Sequence, residues 1–355
     1  MIIDVHHHYL PKLFFDEGER VIPADMEAVW EGGKVFYRYR ATRHAFTPPM
    51  DPTWWYDEDK QLRAMDAAGI DHAVVSVACY QDWMTIEAAR IINDGTAAMV
   101  ARHRDRFSGM LSVPPDGGDA MVAEIRRARD LGLCAINLTT THRGRYLDHE
   151  DFRQLFATAS ELRLPIYVHP SWHTPLKNME RWDLERAIGK PTDLNLSIAN
   201  LMFSGRFNDL PGLRVLFAHL GGSFPVTKRR LFFGQKGWLK VPDYDYPKLL
   251  ERVFVDTAPG MWWSPEDIEA AASIVGVGQM LLGSDYPLSN DPAEVLKIAV
   301  HNVRGTQLPE ADKQRIFGTN AIELFGLHHL SGRLAQGSVA DHHHVPGSGC
   351  CAHKD

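Results

Sequence analysis

The sequence lacks several features that mark particular classes of protein. No apolar run approaches the roughly 18 residues of a membrane span, and no run of Lys or Arg suggests a nucleic-acid surface. Four cysteines are too few for a disulfide scaffold. Asp4 and three histidines stand where a signal peptide would have basic and then apolar residues. We therefore expect a cytoplasmic protein that binds neither membranes nor nucleic acid.

The features that are present are typical of a globular protein. Of the 355 residues, 45% are hydrophobic and 23% are charged, and the net charge is −7. Short apolar runs alternate with amphipathic helical patterns through most of the chain. Strands are predicted at residues 2–5, 72–78, 106–113, 134–138, 164–168, 213–218, 253–256 and 280–283, with helices between them.

Eight strands that alternate with helices predict a parallel sheet closed into a distorted (β/α)₈ TIM barrel. A doubly wound open sheet is the alternative, but no Gly-x-Gly-x-x-Gly opens a helix after any predicted strand. We expect a single domain over residues 1–328, with insertions at about 12–56, after strand one, and at about 170–195. From about residue 329 the chain is polar and Gly-rich, which predicts a disordered tail.

The first predicted strand leads directly into three histidines. Side chains alternate between the two faces of a strand, so His6 and His8 share one face while His7 points away. Neutral imidazole is the commonest protein ligand for zinc and similar divalent ions. The pair therefore indicates a metal site.

Other candidate ligands follow other predicted strands. In a (β/α)₈ barrel the active site lies at the carboxyl ends of the strands, so side chains placed there converge. Each of these residues taken alone would more often be structural, but their convergence on one rim predicts a functional site. The residues at strand ends are His6 and His8 after strand one, His169 after strand five, His219 after strand six and Asp285 after strand eight.

This set of residue types suits one catalytic metal ion. Catalytic zinc takes three or four nitrogen and oxygen ligands and keeps a position open for water, whose pKa it lowers. His219 is left as a general acid or base beside that water, and Asp285 also fits the role of a neighbouring base. Zinc is the expected ion and manganese the alternative. The predicted ligands are His6, His8, His169 and Asp285.

Four motifs in order carry a resemblance to a known family. They are Asp-x-His-x-His, Val-His-Pro, Ala-His-x-Gly-Gly-x-Phe-Pro and Gly-Ser-Asp-Tyr-Pro. Together they resemble the amidohydrolase superfamily, in the branch of aminocarboxymuconate-semialdehyde decarboxylase and the hydroxybenzoate-type decarboxylases. The resemblance runs to about residue 327. It implies the same four metal ligands, with His219 as the base that activates the metal-bound water.

The resemblance also implies residues that bind the substrate. Arg40 matches a family arginine that holds a substrate carboxylate, and Arg230 matches one donated across a homodimer interface. Arg38 and Arg229 are close enough in register to be alternatives. Guanidinium groups suit this role because they recognise carboxylates in a bidentate manner. Trp262, which follows strand seven, is the best aromatic candidate for the pocket.

The sequence departs from the family pattern at two positions. Arg186 stands where the family places an aromatic residue over the substrate, and Trp172 or Trp182 are candidates to replace it. Leu288 follows Asp-Tyr-Pro where the family has Phe. These departures leave the predicted metal site intact and leave the identity of the substrate open.

We expect a non-oxidative zinc-dependent decarboxylase of an unsaturated or aromatic carboxylic acid. The alternative is a hydrolase of an amide, lactone or ester, or a hydratase, at the same site. A non-catalytic metal-binding protein ranks last, because His219 and its glycines are present. Strand four carries neither the lysine nor the carboxylate that bridges two metals in binuclear relatives, so we expect one metal ion.

Overall fold

A computed structural model describes residues 1–22, 25–41, 50–78, 84–172, 179, 181–232 and 240–332. Eight parallel strands form one sheet, in which their spatial order is their order along the chain. The strands are β1 (Ile3–His8), β2 (His72–Ser76), β3 (Phe107–Ser112), β4 (Ala135–Thr139), β5 (Ile166–His169), β6 (Val215–Phe217), β7 (Val253–Asp256) and β8 (Met280–Leu281).

Backbone hydrogen bonds join the last strand region to the first and close the barrel. The Val5 N–H donates to the Leu282 carbonyl at 2.9 Å, and the Asp285 N–H donates to the His6 carbonyl at 2.9 Å. The predicted (β/α)₈ barrel is therefore confirmed. The same bonds fix Asp285 beside the end of β1, although β8 itself is only two residues long.

One helix follows each strand, as the alternation of sequence patterns predicts. Side chains cap several helix starts: Asp57 accepts from the Lys60 N–H, and Ser264 forms a reciprocal capping box with Asp267. The helices are α1 (Glu58–Ala68), α2 (Ile86–Arg102), α3 (Gly118–Asp130), α4 (Arg153–Leu162), α5 (Lys190–Phe203), α6 (Phe224–Phe232), α7 (Pro265–Val275) and α8 (Pro292–Gly305). Shorter helices include Glu310–Gln314 and Asn320–Phe325 near the end of the described chain.

The barrel interior changes from apolar to polar along the strand direction. Its packed core includes Ile3, Val5, Met110, Tyr167 and Leu216. Buried polar side chains follow at the carboxyl ends of the strands, and burying such groups is costly unless they have partners or bind a ligand. They include His6, His8, Ser76, Asn137, Thr139, His169 and Asp256.

The insertion after β1 contains a hairpin that the sequence analysis did not predict. Strands Met26–Glu31 and Lys34–Tyr39 pair antiparallel around Gly32 and Gly33, whose φ angles are 56° and 80°. A two-residue turn with both φ angles positive suits a hairpin, and Gly-Gly supplies it. Alternating apolar residues flank these glycines, and that was the signal for the hairpin. Val35 and Tyr37 pack into a core cluster with Leu10 and Trp55.

One predicted boundary changes. The predicted insertion after β5 ends before residue 195, because a helix occupies Lys190–Phe203 directly after a π-helical turn over Glu185–Gly189. Residues 173–178 and 180 of the predicted second insertion, and residues 333–355 of the predicted tail, lie outside the described residues. The extent of the domain stays a prediction. Across the ranges that the structure covers, no helix has the length and apolar character needed to cross a bilayer.

Candidate metal centre

Four predicted ligands converge at the carboxyl end of the barrel. His6, His8, His169 and Asp285 each offer one ligand atom, and these atoms lie within 4.8 Å of one another. The Nε2 atoms of His6 and His8 are 3.2 Å apart, and Asp285 Oδ1 is 3.1 Å from both. Ligands about 2.0–2.1 Å from a tetrahedral zinc ion lie roughly 3.3 Å apart. The spacing therefore fits a divalent metal ion.

The hydrogen bonds of the other ring nitrogens orient the three histidines. His6 Nδ1–H donates to Asp256 Oδ2 at 3.0 Å, and His169 Nδ1–H donates to the Pro170 carbonyl at 2.9 Å. His8 Nδ1 lies 3.1 Å from Ser76 Oγ. With the proton on Nδ1, the Nε2 lone pair of each ring is free to bind a metal. Among the residues that the structure describes, none bonds the buried Nε2 of His169, as expected of an atom that binds an ion.

The local shape of β1 separates the three consecutive histidines. The pairing of β1 with β2 shifts register between Asp4 and His7, and His6 and His8 point into the barrel. His7 instead stacks on Tyr286 with ring centroids 4.3 Å apart, and its Nδ1 is 3.1 Å from Asp4 Oδ2. His7 therefore packs away from the cluster, as the alternation predicts.

His219 lies beside the cluster in a backbone conformation that is rare for a residue with a Cβ. Its φ is 54°, and its ring centroid is 4.9 Å from that of His6. Gly222, three residues on, has a φ of 66°, and a Cβ there would lie 2.0 Å from the Pro191 carbonyl oxygen. Strained backbone of this kind concentrates at functional sites, where the surrounding structure holds it.

The pKa shifts suit a cation site with a neutral base beside it. Burial alone would lower the pKa of His6, but the carboxylates of Asp256 and Asp285 outweigh burial and raise it to about 10. Burial would raise the pKa of Asp285, but His6 holds it well below its ordinary value. Burial lowers the pKa of His219, which favours its neutral form. The two carboxylates that favour a proton on His6 also favour a metal ion, because the proton and the metal ion are both cations.

Asp256, the last residue of β7, is a site residue that was not predicted from the sequence. Its Oδ2 accepts from His6, and its Oδ1 accepts from the backbone N–H groups of His219 and Ala258 at 2.9 and 3.0 Å. A carboxylate at the carboxyl end of a barrel strand was the available signal. Ser76, at the end of β2, was missed in the same way.

Trp262 lies at the edge of the site. Its ring centroid is 6.5 Å from that of His219, and the residue is 59% exposed. The segment that carries it is firmly held, because Asn302 Nδ2 donates to the carbonyls of Gly260 and Trp263 at 2.6 Å each. The exposed indole therefore stands on an anchored loop.

The structure places both predicted arginines at exposed positions. Arg40 is 54% exposed, and its Nη1 is 3.5 Å from Glu27 Oε2, on the hairpin after β1. Arg38 Nε also bonds Glu27, at 2.7 Å. Arg230 is exposed on α6 and forms no ion pair with any residue in the described ranges. Their roles toward a substrate stay predictions.

A closed (β/α)₈ barrel with three histidines and an aspartate converging at its catalytic end defines a class of metal-dependent barrel enzymes. Residues 3–327 match the sequence profile of the amidohydrolase family, and the chain belongs to that family.

Relatives with assigned activities match most of the chain. It is 26% identical to 2-amino-3-carboxymuconate-6-semialdehyde decarboxylase of Dictyostelium discoideum, over 92% of this chain and 91% of that protein. It is 29% identical to gamma-resorcylate decarboxylase of Rhizobium radiobacter, over 76% of this chain and 87% of that protein. The predicted membership of the amidohydrolase superfamily, in the branch that holds such carboxy-lyases, is confirmed.

A solved structure matches the fold. A 5-carboxyvanillate decarboxylase variant from Novosphingobium aromaticivorans, solved with bound manganese and 3-methoxy-4-hydroxy-5-nitrobenzoic acid, superposes with a TM-score of 0.72. The two chains are 22% identical, and the match covers 92% of this chain and 97% of that one.

Proposed function

We propose that this protein is a metal-dependent, non-oxidative decarboxylase of an unsaturated or aromatic carboxylic acid. One observation carries the proposal: the ligand atoms of His6, His8 and Asp285 lie 3.1–3.2 Å apart, with the His219 ring against them. The names of the relatives support the type of reaction, since both assigned relatives are decarboxylases.

We propose one ion, zinc, with manganese as the alternative. Three imidazole nitrogens and one carboxylate oxygen suit both ions, and a related structure holds manganese. The bound ion would supply electrophilic activation and an acidified water. The end of β4 offers Thr139 and no lysine or carboxylate, which supports a single ion.

His219 accepts and donates the proton in the proposed reaction. Decarboxylation leaves the electron pair of the broken C–C bond on the carbon that carried the carboxylate, and that carbon must gain a proton. His219 is neutral at neutral pH because burial lowers its pKa, so it can accept a proton from water and return it. The net change is loss of CO₂ and gain of one proton, without an oxidant.

Trp262 and the arginines are proposed to bind the substrate. The exposed face of Trp262, on its anchored loop near His219, suits a planar unsaturated or aromatic acid. Arg40 is proposed to hold a carboxylate. Arg230 is proposed to act across a homodimer, which its exposed position on α6 allows.

Mixing two inactive variants tests the role of Arg230 in the partner. His219→Ala and Arg230→Ala homodimers are each expected to be inactive. In a mixed dimer, the site with an intact His219 receives an intact arginine from the other chain, so random mixing should restore about one quarter of the sites. No recovery from chains shown to exchange would place Arg230 in the active site of its own chain, and an active Arg230→Ala homodimer would place it outside the reaction.

Product analysis tests the reaction. Zinc-loaded protein is incubated with a panel of unsaturated and hydroxyaromatic acids, lactones and amides, and the masses of the products are measured by mass spectrometry. We expect a product that has lost one CO₂, and none from the His219→Ala variant. A product that gains one water instead would identify a hydrolase or hydratase and contradict the proposal.

A further inference from the structure

We infer that Asp256 is a positioning residue that holds the ligand His6 and the base His219 in one fixed arrangement. The inference rests on the proposed function, since it assigns a role within that same site. It extends the site by one residue, whose two carboxylate oxygens both contact N–H groups of the protein.

The two carboxylate oxygens of Asp256 serve different partners. Oδ2 accepts from His6 Nδ1 at 3.0 Å, which leaves Nε2 of that ring as the metal-binding atom. Oδ1 accepts from the backbone N–H of His219 at 2.9 Å and from that of Ala258 at 3.0 Å. All three partners donate, so only a group that accepts on both oxygens satisfies the arrangement.

The hydrogen bond from the His219 backbone to Asp256 helps to hold the backbone conformation of His219. His219 and Leu220 both have positive φ angles, 54° and 56°, which residues with a Cβ rarely adopt. The hydrogen bond from Asp256 is made at the first of these residues. It therefore opposes relaxation of the segment into ordinary backbone conformations, which would move the imidazole away from His6.

Asp256 is itself held firmly. It is fully buried, and its Cβ and Cγ lie 3.0 Å from where a Cβ of Gly283 would be. The neighbouring Tyr167 is also fully buried and packs edge-on against the His6 ring. The carboxylate therefore has little freedom to change partners.

The variant Asp256→Asn tests whether Asp256 must accept hydrogen bonds from both His6 and the His219 backbone. A carboxamide accepts on one side and donates on the other, so it can satisfy His6 or the backbone N–H groups but not both. We expect metal affinity to fall about 10- to 100-fold. We also expect kcat at saturating metal to fall about 10-fold or more, with a smaller change in KM. When His6 binds the ion, its Nδ1–H needs the carboxamide oxygen of the variant residue as acceptor, so the carboxamide NH₂ then faces the His219 backbone N–H and cannot accept from it.

Asp193→Asn is the matched control. Asp193 is a buried carboxylate in the first turn of α5, and it accepts from the Tyr146 hydroxyl at 2.7 Å and from Thr140. We expect this variant to keep the metal affinity of the wild type. Metal affinity is measured by competition with a chromogenic chelator, which needs no substrate.

The outcomes distinguish this inference from the proposed function. If the wild type binds metal and releases CO₂ but Asp256→Asn matches it in metal affinity and kcat, the inference alone is wrong. If the wild type releases no CO₂, the proposed reaction is wrong, and the chelator competition still decides the role of Asp256.

A measurement on the wild type covers the case in which the variant does not fold. Histidine-selective ¹⁵N NMR of the zinc-loaded protein reports which ring nitrogen carries the proton, and through-bond correlations from the imidazole to the assigned His6 backbone identify its signal. We expect a protonated Nδ1 on His6. An unprotonated Nδ1 would overturn the inference.

Discussion

Gly283 lies so close to His6 that a Cβ on residue 283 would be 2.8 Å from the His6 Cβ. The same Cβ would lie 3.0 Å from the Cβ and Cγ of Asp256. Gly283 belongs to the segment that follows β8 and closes the barrel against β1. A side chain is therefore excluded where His6 and Asp256 approach each other.

Replacing Gly283 with alanine should weaken the metal site. Because the added methyl group has no room, it should displace His6 or Asp256 and lower metal affinity about 10-fold or more. Chelator competition measures the change. Gly18→Ala is the control, since a Cβ on Gly18 would meet no atom of the described part of the chain within 4 Å. Unchanged affinity in Gly283→Ala would show that the approach of His6 and Asp256 is not needed to bind the ion.

Removing the Trp262 indole should change KM more than it changes kcat. If the ring stacks on a planar substrate, Trp262→Ala should raise KM about 2- to 10-fold, and Trp262→Phe should recover most of the loss. Steady-state kinetics on an acid from the panel measures both constants. Trp30→Ala removes a comparably exposed indole, 52% exposed, from the hairpin and should leave KM unchanged. The same KM in Trp262→Ala and wild type would remove Trp262 from the site.

Much of the fold follows from the sequence, because buried parallel strands read as short apolar runs and the helices between them are amphipathic. The hairpin after β1 was missed because its strands, Met26–Glu31 and Lys34–Tyr39, are partly exposed and carry charged residues in place of a continuous apolar run. Its signal was alternation around Gly32 and Gly33, which is weaker than the barrel pattern and lies in a segment rich in aromatic residues.

The convergence of the candidate ligands was predictable because each one directly follows a strand, and strand ends meet at one face of a barrel. The role of Asp256 was not. Its partners His6 and His219 are 250 and 37 residues away along the chain, so their bonds depend on barrel geometry that no local pattern contains. The direction of Arg40 likewise depends on the register of the hairpin, in which Glu27 pairs with Arg38.

His142 should make the protein less stable as the pH falls from 6.5 toward 4. Burial lowers the pKa of its imidazole to about 4, with Asp116 opposing the shift. Between these values the unfolded chain binds a proton that the folded protein binds poorly, so the free energy of unfolding decreases as the pH falls. The shift corresponds to a loss of up to about 3 kcal/mol.

Urea unfolding of the metal-free protein at pH 7 and pH 4.5 measures that loss. His142→Gln should lose less stability than the wild type over this interval, because the variant no longer has this titrating group. His301→Gln removes an exposed histidine from α8 and should behave as the wild type does. Equal losses in wild type and His142→Gln would contradict the assignment.

The metal content of purified, zinc-equilibrated protein tests the central claim most directly. We predict one zinc ion per wild-type chain, and about one tenth of that occupancy or less when any one ligand is replaced, with Asp193→Asn retaining the full ion. The replacements are His6→Ala, His8→Ala, His169→Ala and Asp285→Asn. Full occupancy in any of these four folded variants, or no zinc in the wild type, would contradict the account.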